Sequence, residues 1–376
     1  MQIAPTVPST LNLSTVILAH LLARKPCVLW GDPGIGKTSF CSQIAKAINY
    51  NFYDMTLSIY LPEDIAGYTR PDDQRKVVEK YPLDVFATLP PKTLLLLDEF
   101  GSVNEDMQGA CMQLLLTRRA GAFVLPNEML LMAAGNNFDT AVNAHEIGAP
   151  LANRVAHIEF SLPTIEEMED WAASSDYVAK IPPVNIDDFK ITLPSLFRLL
   201  IISFLHGRPE LRLDVPKTRV QRARAWPSPR SWMATADVWQ ALCYICGKDP
   251  MAFHEGSALL AYHAAVCNVG TGPATELLAW LKTRDLPNIR ELLEGTITWS
   301  PTRRDQAYVV CSSLVSILLS EPTRSVFDRV WDLFLSWYSE QNKPIIFAAA
   351  VAMMRHPKLK TFRMPPNAIK LLDLAL

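Results

Sequence analysis

One octapeptide constrains this chain more than any other feature: Gly31-Asp32-Pro33-Gly34-Ile35-Gly36-Lys37-Thr38. It fits the pattern G-x-x-x-x-G-K-[ST] in full. It follows the apolar run Cys27–Trp30 and opens the amphipathic stretch Thr38–Ile48, where Ile44, Ala45 and Ile48 share a face. That order dictates a strand, a tight glycine loop and a helix. Glycines let the main chain wrap anionic oxygens closely, and the N–H groups opening a helix favour negative charge. The segment therefore predicts a phosphate cradle over Gly31, Asp32, Pro33, Gly34, Ile35, Gly36, Lys37, Thr38 and Ser39. Lys37 would reach the distal phosphates, and the Thr38 hydroxyl would ligate magnesium.

Further apolar runs follow at Phe52–Thr56, Leu94–Leu97, Met129–Ala133 and Val155–Phe160. Continuous runs of this kind suit strands covered on both faces. The stretch Asn104–Leu116 reads as a helix with Met107, Cys111, Leu114 and Leu115 inward, and Ser102 with Glu105 offers a capping box before it. Strand–helix alternation predicts an α/β fold with a parallel five-stranded sheet. The run Leu94–Leu97 ends in Asp98-Glu99 and delivers two carboxylates to the end of a buried strand. There Asp98 can hold magnesium, and Glu99 can polarise water as a general base.

After Leu162-Pro163 strand patterns fade and helical ones dominate; Thr164 with Glu166 and Glu167 reads as a helix start. With 376 residues the chain exceeds one core of usual size. The expected division is a nucleotide-binding α/β domain over 1–161, a helical lid over 162–290 and a helical extension over 291–376. Apolar residues at 49% and charged ones at 20% exclude a disordered chain, and a net charge of −2 gives no global attraction to nucleic acid or anionic membranes. Seven cysteines without a pattern read as reduced intracellular thiols, and Cys243-x-x-Cys246 lacks a second ligand pair for zinc. The N-terminus lacks a signal-peptide pattern, and the run Ile345–Met354 falls short of a membrane span, so a cytoplasmic protein is expected. The basic stretch Arg208–Arg230 reads as a solvated lid loop lining the nucleotide cleft, or as a site for a phosphate-rich partner. Trp331, Trp337 and Tyr338 at helical spacing read as core.

GDPGIGKT and LLLLDEF resemble the Walker A and Walker B motifs of AAA+ ATPases, and more narrowly of the MoxR-like, dynein-related branch. The similarity continues in order. Leu131–Asn136 resembles that branch's sensor-1 strand, which assigns Asn136 to position water beside the γ-phosphate, with Asn137 adjacent as the alternative. Pro150–Val155 resembles the L-x-x-R-F segment, whose arginine acts on ATP held by a neighbouring subunit; Arg154 inherits that role, with Val155 in place of Phe. Ser228-Pro229-Arg230 resembles the start of sensor 2, where a lid arginine contacts the γ-phosphate of its own subunit. Pro62–Tyr68 resembles a segment that faces the central pore in related rings, which leaves Tyr68 as a client grip or a packing anchor. Gly121–Pro126 resembles the hairpin that precedes sensor 1, and Val269–Pro287 the helical C-terminal portion of MoxR-like proteins.

The resemblance implies ATP and magnesium as cofactors, a homo-oligomeric ring of six, and remodelling of a protein client with a von Willebrand A-type partner. Two other functions fit the same motifs: a nucleic-acid motor or restriction-type translocase subunit, and an ATP-gated assembly scaffold with slow turnover. The preference for ATP over GTP rests on the resemblance alone.

Overall fold

The computed structural model describes residues 10–137, 147–173, 181–191, 195–247, 258–283, 286–320 and 322–375. His145 and His254, and positions 284–285 of the Val269–Pro287 likeness, lie outside them. The chain divides into two compact units: Met1–Lys190 with Leu213–Lys248 and Ser257–Ala274, and Ile191–Arg212 with Asp249–Gly256 and Thr275–Leu376.

The strands of the first unit are β1 (Cys27–Trp30), β2 (Asn51–Thr56), β3 (Tyr68–Asp72), β4 (Val77–Tyr81), β5 (Thr93–Asp98), β6 (Arg119–Ala120), β7 (Phe123–Val124), β8 (Leu130–Gly135) and β9 (Ala156–Glu159). Five of them form a parallel sheet in the order β2-β5-β8-β1-β9. β1 and β8 are buried along their whole length, and β5 up to Asp98, as covered parallel strands must be. The register pairs Trp30 with Gly135 and Leu97 with Ala133. The loops leaving β1, β8 and β5 therefore open at the same carboxyl edge of the sheet. That edge receives the glycine loop, Asn136 and the acidic pair.

The helix Lys37–Ala47 follows β1 as expected and buries Phe40, Cys41, Ile44 and Ala45. The helix Glu105–Thr117 also forms, but its start differs from the expectation. Asn104 is the N-cap and accepts from the Met107 N–H at 3.0 Å, so the box of Ser102 and Glu105 is not made. Ser102 instead sits in a single 3-10 turn, Phe100–Ser102, two residues too early to cap. Thr164 does cap its helix: its hydroxyl accepts from the Glu167 N–H while the Glu167 carboxylate takes the Thr164 N–H.

Two antiparallel hairpins, β3-β4 and β6-β7, stand off the main sheet. They meet backbone to backbone. A Cβ on Gly67 would lie 2.7 Å from the Gly121 Cα, and both residues have positive φ, 89° and 60°. Only glycine combines that approach with that conformation. Elsewhere in this unit, Lys25 pairs with buried Asp237 at 2.8 Å, and His20 is held between the Val16 carbonyl and Asn268.

The second unit is helical, with helices Arg304–Ser320, Arg324–Ser336, Lys343–Arg355 and Pro366–Ala375 around a core that includes Trp331, Phe334 and Trp337. The tryptophans read as core are buried there. Tyr338 packs on that core half-buried.

Candidate nucleotide site

A cavity of about 360 Å³ opens at the carboxyl edge of the sheet, lined by the glycine loop with Lys37, Thr38, Asp98, Glu99 and Asn136. The loop holds its curve through Gly34 at φ 78° and Gly36 at φ 93°. At Gly31 a Cβ would lie 2.5 Å from the Phe160 carbonyl oxygen. The cradle is thus closed on its back face by the main chain leaving β9.

Lys37 is buried, and its Nζ donates to the Gly31 carbonyl at 2.9 Å, the Asp32 carbonyl at 2.8 Å and Asn136 Oδ1 at 2.9 Å. Burial pulls its ammonium below the usual lysine range, and Asp98 and Asp32 only partly offset this. A buried cation whose hydrogen bonds all go to neutral oxygens gains most from an anion. Thr38 Oγ1 donates to Asp98 Oδ2 at 2.6 Å, which sets two hard oxygen donors side by side. Among the described residues no group of three or more His, Cys, Asp or Glu could hold a metal. Two protein oxygens suit magnesium, which usually completes its shell with water and substrate phosphates. The residues therefore fit a nucleoside triphosphate with magnesium.

Glu99 takes the left-handed conformation, φ 61° and ψ 27°, at a cost of about 1 kcal/mol for a residue with a Cβ. Its N–H is fastened to Asp98 Oδ1 at 2.7 Å, and its side chain lines the cavity. Strain of this kind aims a carboxylate where an ordinary strand end would not. Asp54 of β2, not singled out in the sequence, adds a third acid here. Its pKa is raised by burial first, then by Asp98 and Glu99. Of the adjacent asparagines, Asn136 is the one that lines the cavity. β8 lies between β1 and β5, so its first loop residue comes out between the cradle and the acids.

Residues 27–158 match the model of the ATPase family associated with various cellular activities (AAA). The matched segment is an AAA ATPase domain. Its parallel five-stranded sheet and flanking helices are those expected from the sequence. Among solved structures, an inferred ATPase from Cytophaga hutchinsonii is similar at 17% identity and a TM-score of 0.46, over 65% of this chain and 78% of that one. No curated protein matches the chain. No described helix is long and apolar enough to cross a membrane.

Arg154 falls inside the AAA match and Arg230 outside it. The structure brings these two together, and not to the P-loop. Both line a second cavity of about 360 Å³ with Asn153, Arg222 and Trp226, and neither lines the first. The basic stretch Arg208–Arg230, expected along the nucleotide cleft, contributes Val215, Arg222, Trp226 and Arg230 to the second cavity. Arg154 Nη1 donates to the Pro150 carbonyl at 2.9 Å, and Arg230 is exposed in the first turn of the helix Pro229–Cys246.

The bridge between them is Asn153. Its Nδ2 donates to the Trp226 carbonyl at 2.9 Å, and its Oδ1 accepts from Ser228 Oγ at 2.7 Å. A second tie runs from the P-loop strand. Trp30 Nε1 donates to His157 Nδ1 at 3.1 Å, so Nε2 carries the remaining proton toward the Ala152 carbonyl at 2.9 Å. Burial lowers the His157 pKa to about 4, which keeps this neutral tautomer in place. Arg224 covers the Trp30 ring at 5.2 Å and pairs with Glu159. Asn153, His157 and Trp226 carry no motif of their own, and nothing in the sequence pointed to them.

Proposed function

We propose that this chain is a MoxR-like AAA+ ATPase whose active sites are shared between neighbouring subunits of a six-membered ring, coupling ATP hydrolysis to remodelling of a protein client. The observation that carries the reading is the separation of the two cavities. One holds the phosphate cradle, the metal ligands and the base. The other holds Arg154 and Arg230, two guanidiniums suited to charge developing on a γ-phosphoryl group. An arginine that does not line its own subunit's cradle can serve a neighbour's.

ATP with magnesium supplies the activated phosphoanhydride and neutralises part of its charge. Lys37 would exchange its carbonyl and Asn136 partners for phosphate oxygens. Thr38 and Asp98 would hold the metal, with Gly31 to Ser39 wrapping the phosphates through main-chain N–H groups. Glu99 would take the proton of the attacking water, and Asn136, freed from Lys37, would orient that water. Arg154 and Arg230 of one subunit would complete the site of the next. This revises the expectation for Arg230: lining the same cavity as Arg154, it fits the neighbour's γ-phosphate better than its own.

For the client, the β3-β4 hairpin offers Tyr68, Val77, Val78 and Tyr81 to solvent, with Ile59 and Leu61 beside it in sequence. Tyr68 is exposed and its hydroxyl is anchored to Asp64 Oδ1 at 2.6 Å, so the ring projects as a held grip more than as a packing anchor. A von Willebrand A-type protein is the partner that the family likeness suggests.

ATP turnover across a protein concentration series, beside mass photometry with and without ATP and magnesium, tests the reading. Specific activity should rise as the ring assembles. Full activity in a monomer removes the shared site. Stimulation by DNA or RNA would favour the nucleic-acid motor, and unimpaired biological activity of Glu99→Gln would favour the scaffold.

A further inference from the structure

A cavity larger than either of these lies in the helical second unit, and none of its lining residues lines the other two. It encloses about 560 Å³, within the roughly 300–1,000 Å³ typical of ligand pockets. It forms where the end of the helix Leu196–Gly207 meets the starts of the helices Arg304–Ser320 and Lys343–Arg355. Its walls are mostly apolar. Trp280 packs against Phe204 with ring centroids 5.8 Å apart, and Tyr308 against His206 at 5.7 Å, so both rings are held in place. Burial raises the Tyr308 pKa, so its hydroxyl remains a neutral donor.

The permanently charged side chains of this cavity are all cationic. Arg208, Arg303 and Arg304 line it, and no carboxylate does. Glu276 reaches Arg208 at 3.3 Å. Arg304 is fixed by a single bond from Nε to the Gln341 carbonyl at 3.1 Å, and among the described residues no carboxylate accepts from its terminal nitrogens. Two helix N-terminal ends against one C-terminal end add further positive potential. The net charge of the whole chain is −2, so this patch does not follow from the overall charge.

We propose that this cavity binds an acidic segment of a protein partner, seating an aromatic side chain against Trp280 and Tyr308 and a neighbouring carboxylate on Arg303 and Arg304. Guanidinium forks match carboxylates in bidentate geometry, and an aromatic ring gains most from half-buried ring partners. Nucleic acid fits less well. Its affinity grows with the number of phosphates neutralised along a track, and this site is one concave patch. The inference does not rest on the ATPase reading, and its test leaves turnover as a separate readout.

The test uses the full chain and fluorescence anisotropy. The probes are a fluorescein-labelled peptide of alternating Asp and Phe, its Asn–Phe counterpart, and a labelled oligothymidylate. Arg304→Glu is an exposed change at the start of a helix, where an acid is tolerated, so folding is retained. The Asp–Phe peptide should bind in a salt-dependent manner and its counterpart at least ~tenfold more weakly. Arg304→Glu should weaken the acidic peptide by ~tenfold or more, Arg304→Lys by less, and neither should alter ATP turnover. Equal binding of the two peptides overturns the proposal. So does indifference to Arg304→Glu, or tighter Arg304-dependent binding of the oligothymidylate.

Discussion

The P-loop cavity and the Arg154 cavity each enclose about 360 Å³ within the same compact unit, yet they are built in opposite ways. The first is made of contiguous motifs at the ends of three adjacent strands. It has a buried lysine, a hydroxyl hydrogen-bonded to a carboxylate, and Glu99 on a left-handed backbone, and no arginine lines it. The second takes residues from the short helix Ala149–Ala152 and from the Val215–Arg230 stretch, and it has arginines but no cradle. The difference teaches that contiguous motifs and scattered residues can build cavities of equal size and opposite chemistry. Each cavity holds what the other lacks.

That contrast breaks most sharply at Arg154. Arg154→Ala should lower kcat by ~10³ to 10⁵-fold while leaving nucleotide affinity near wild type. A loss of affinity with kcat retained would place Arg154 in its own subunit's binding site and end the contrast. Glu99→Gln should lower turnover by ~10² to 10⁴-fold, with nucleotide binding and assembly kept. Equilibrium binding beside steady-state turnover reads both. Arg230→Ala should give a smaller turnover loss, ~10²-fold, again with little change in affinity; an affinity loss alone would assign it to its own subunit's phosphates.

The smallest effect concerns two buried histidines of the same unit, His157 among the ties beside the second cavity and His20 against Val16 and Asn268. Burial lowers the pKa values of His20 and His157 to about 4, against 6.5 for free histidine. Below pH 6.5 the unfolded chain binds protons that the folded chain refuses. Stability is therefore full above pH 6.5 and falls as the pH drops toward 4, by a few kcal/mol across both groups. Thermal melts at pH 7 and pH 5 should show the lower Tm at pH 5. Replacing His157 with Gln should flatten part of that dependence and leave the His20 part.

How much of this was legible in the sequence follows the same division. The glycine loop and Asp98-Glu99 could be read because each motif is contiguous and sits at the end of an apolar run. β1, β5 and β8 were legible because buried parallel strands are apolar throughout; β3 and β4, mostly exposed and partly polar, carry no such run and were not. The choice between Asn136 and Asn137 was not, since both follow β8 and only the fold places Asn136 on Lys37. The cap at Asn104 was missed because Ser102 with Glu105 makes an equally good local pattern, and the 3-10 turn after Glu99 decides against it. The grouping of Arg154 with Arg230 was illegible for a stronger reason. It depends on Asn153 bonding to Trp226 and Ser228, contacts between segments far apart in the chain. The cavity of the second unit draws on several helices and has no motif at all.

The most direct test of the shared site is to mix Glu99→Gln subunits with Arg154→Ala subunits and measure ATP turnover against the mixing ratio. Each variant alone should be nearly inactive. In a mixed ring, an Arg154→Ala subunit contributes an intact cradle and base, and a Glu99→Gln neighbour contributes an intact arginine. At equal proportions about a quarter of the head-to-tail interfaces should then be intact, and activity should peak there. If turnover at every ratio stays at the sum of the two inactive variants while mixed rings form, the two cavities do not belong to one active site.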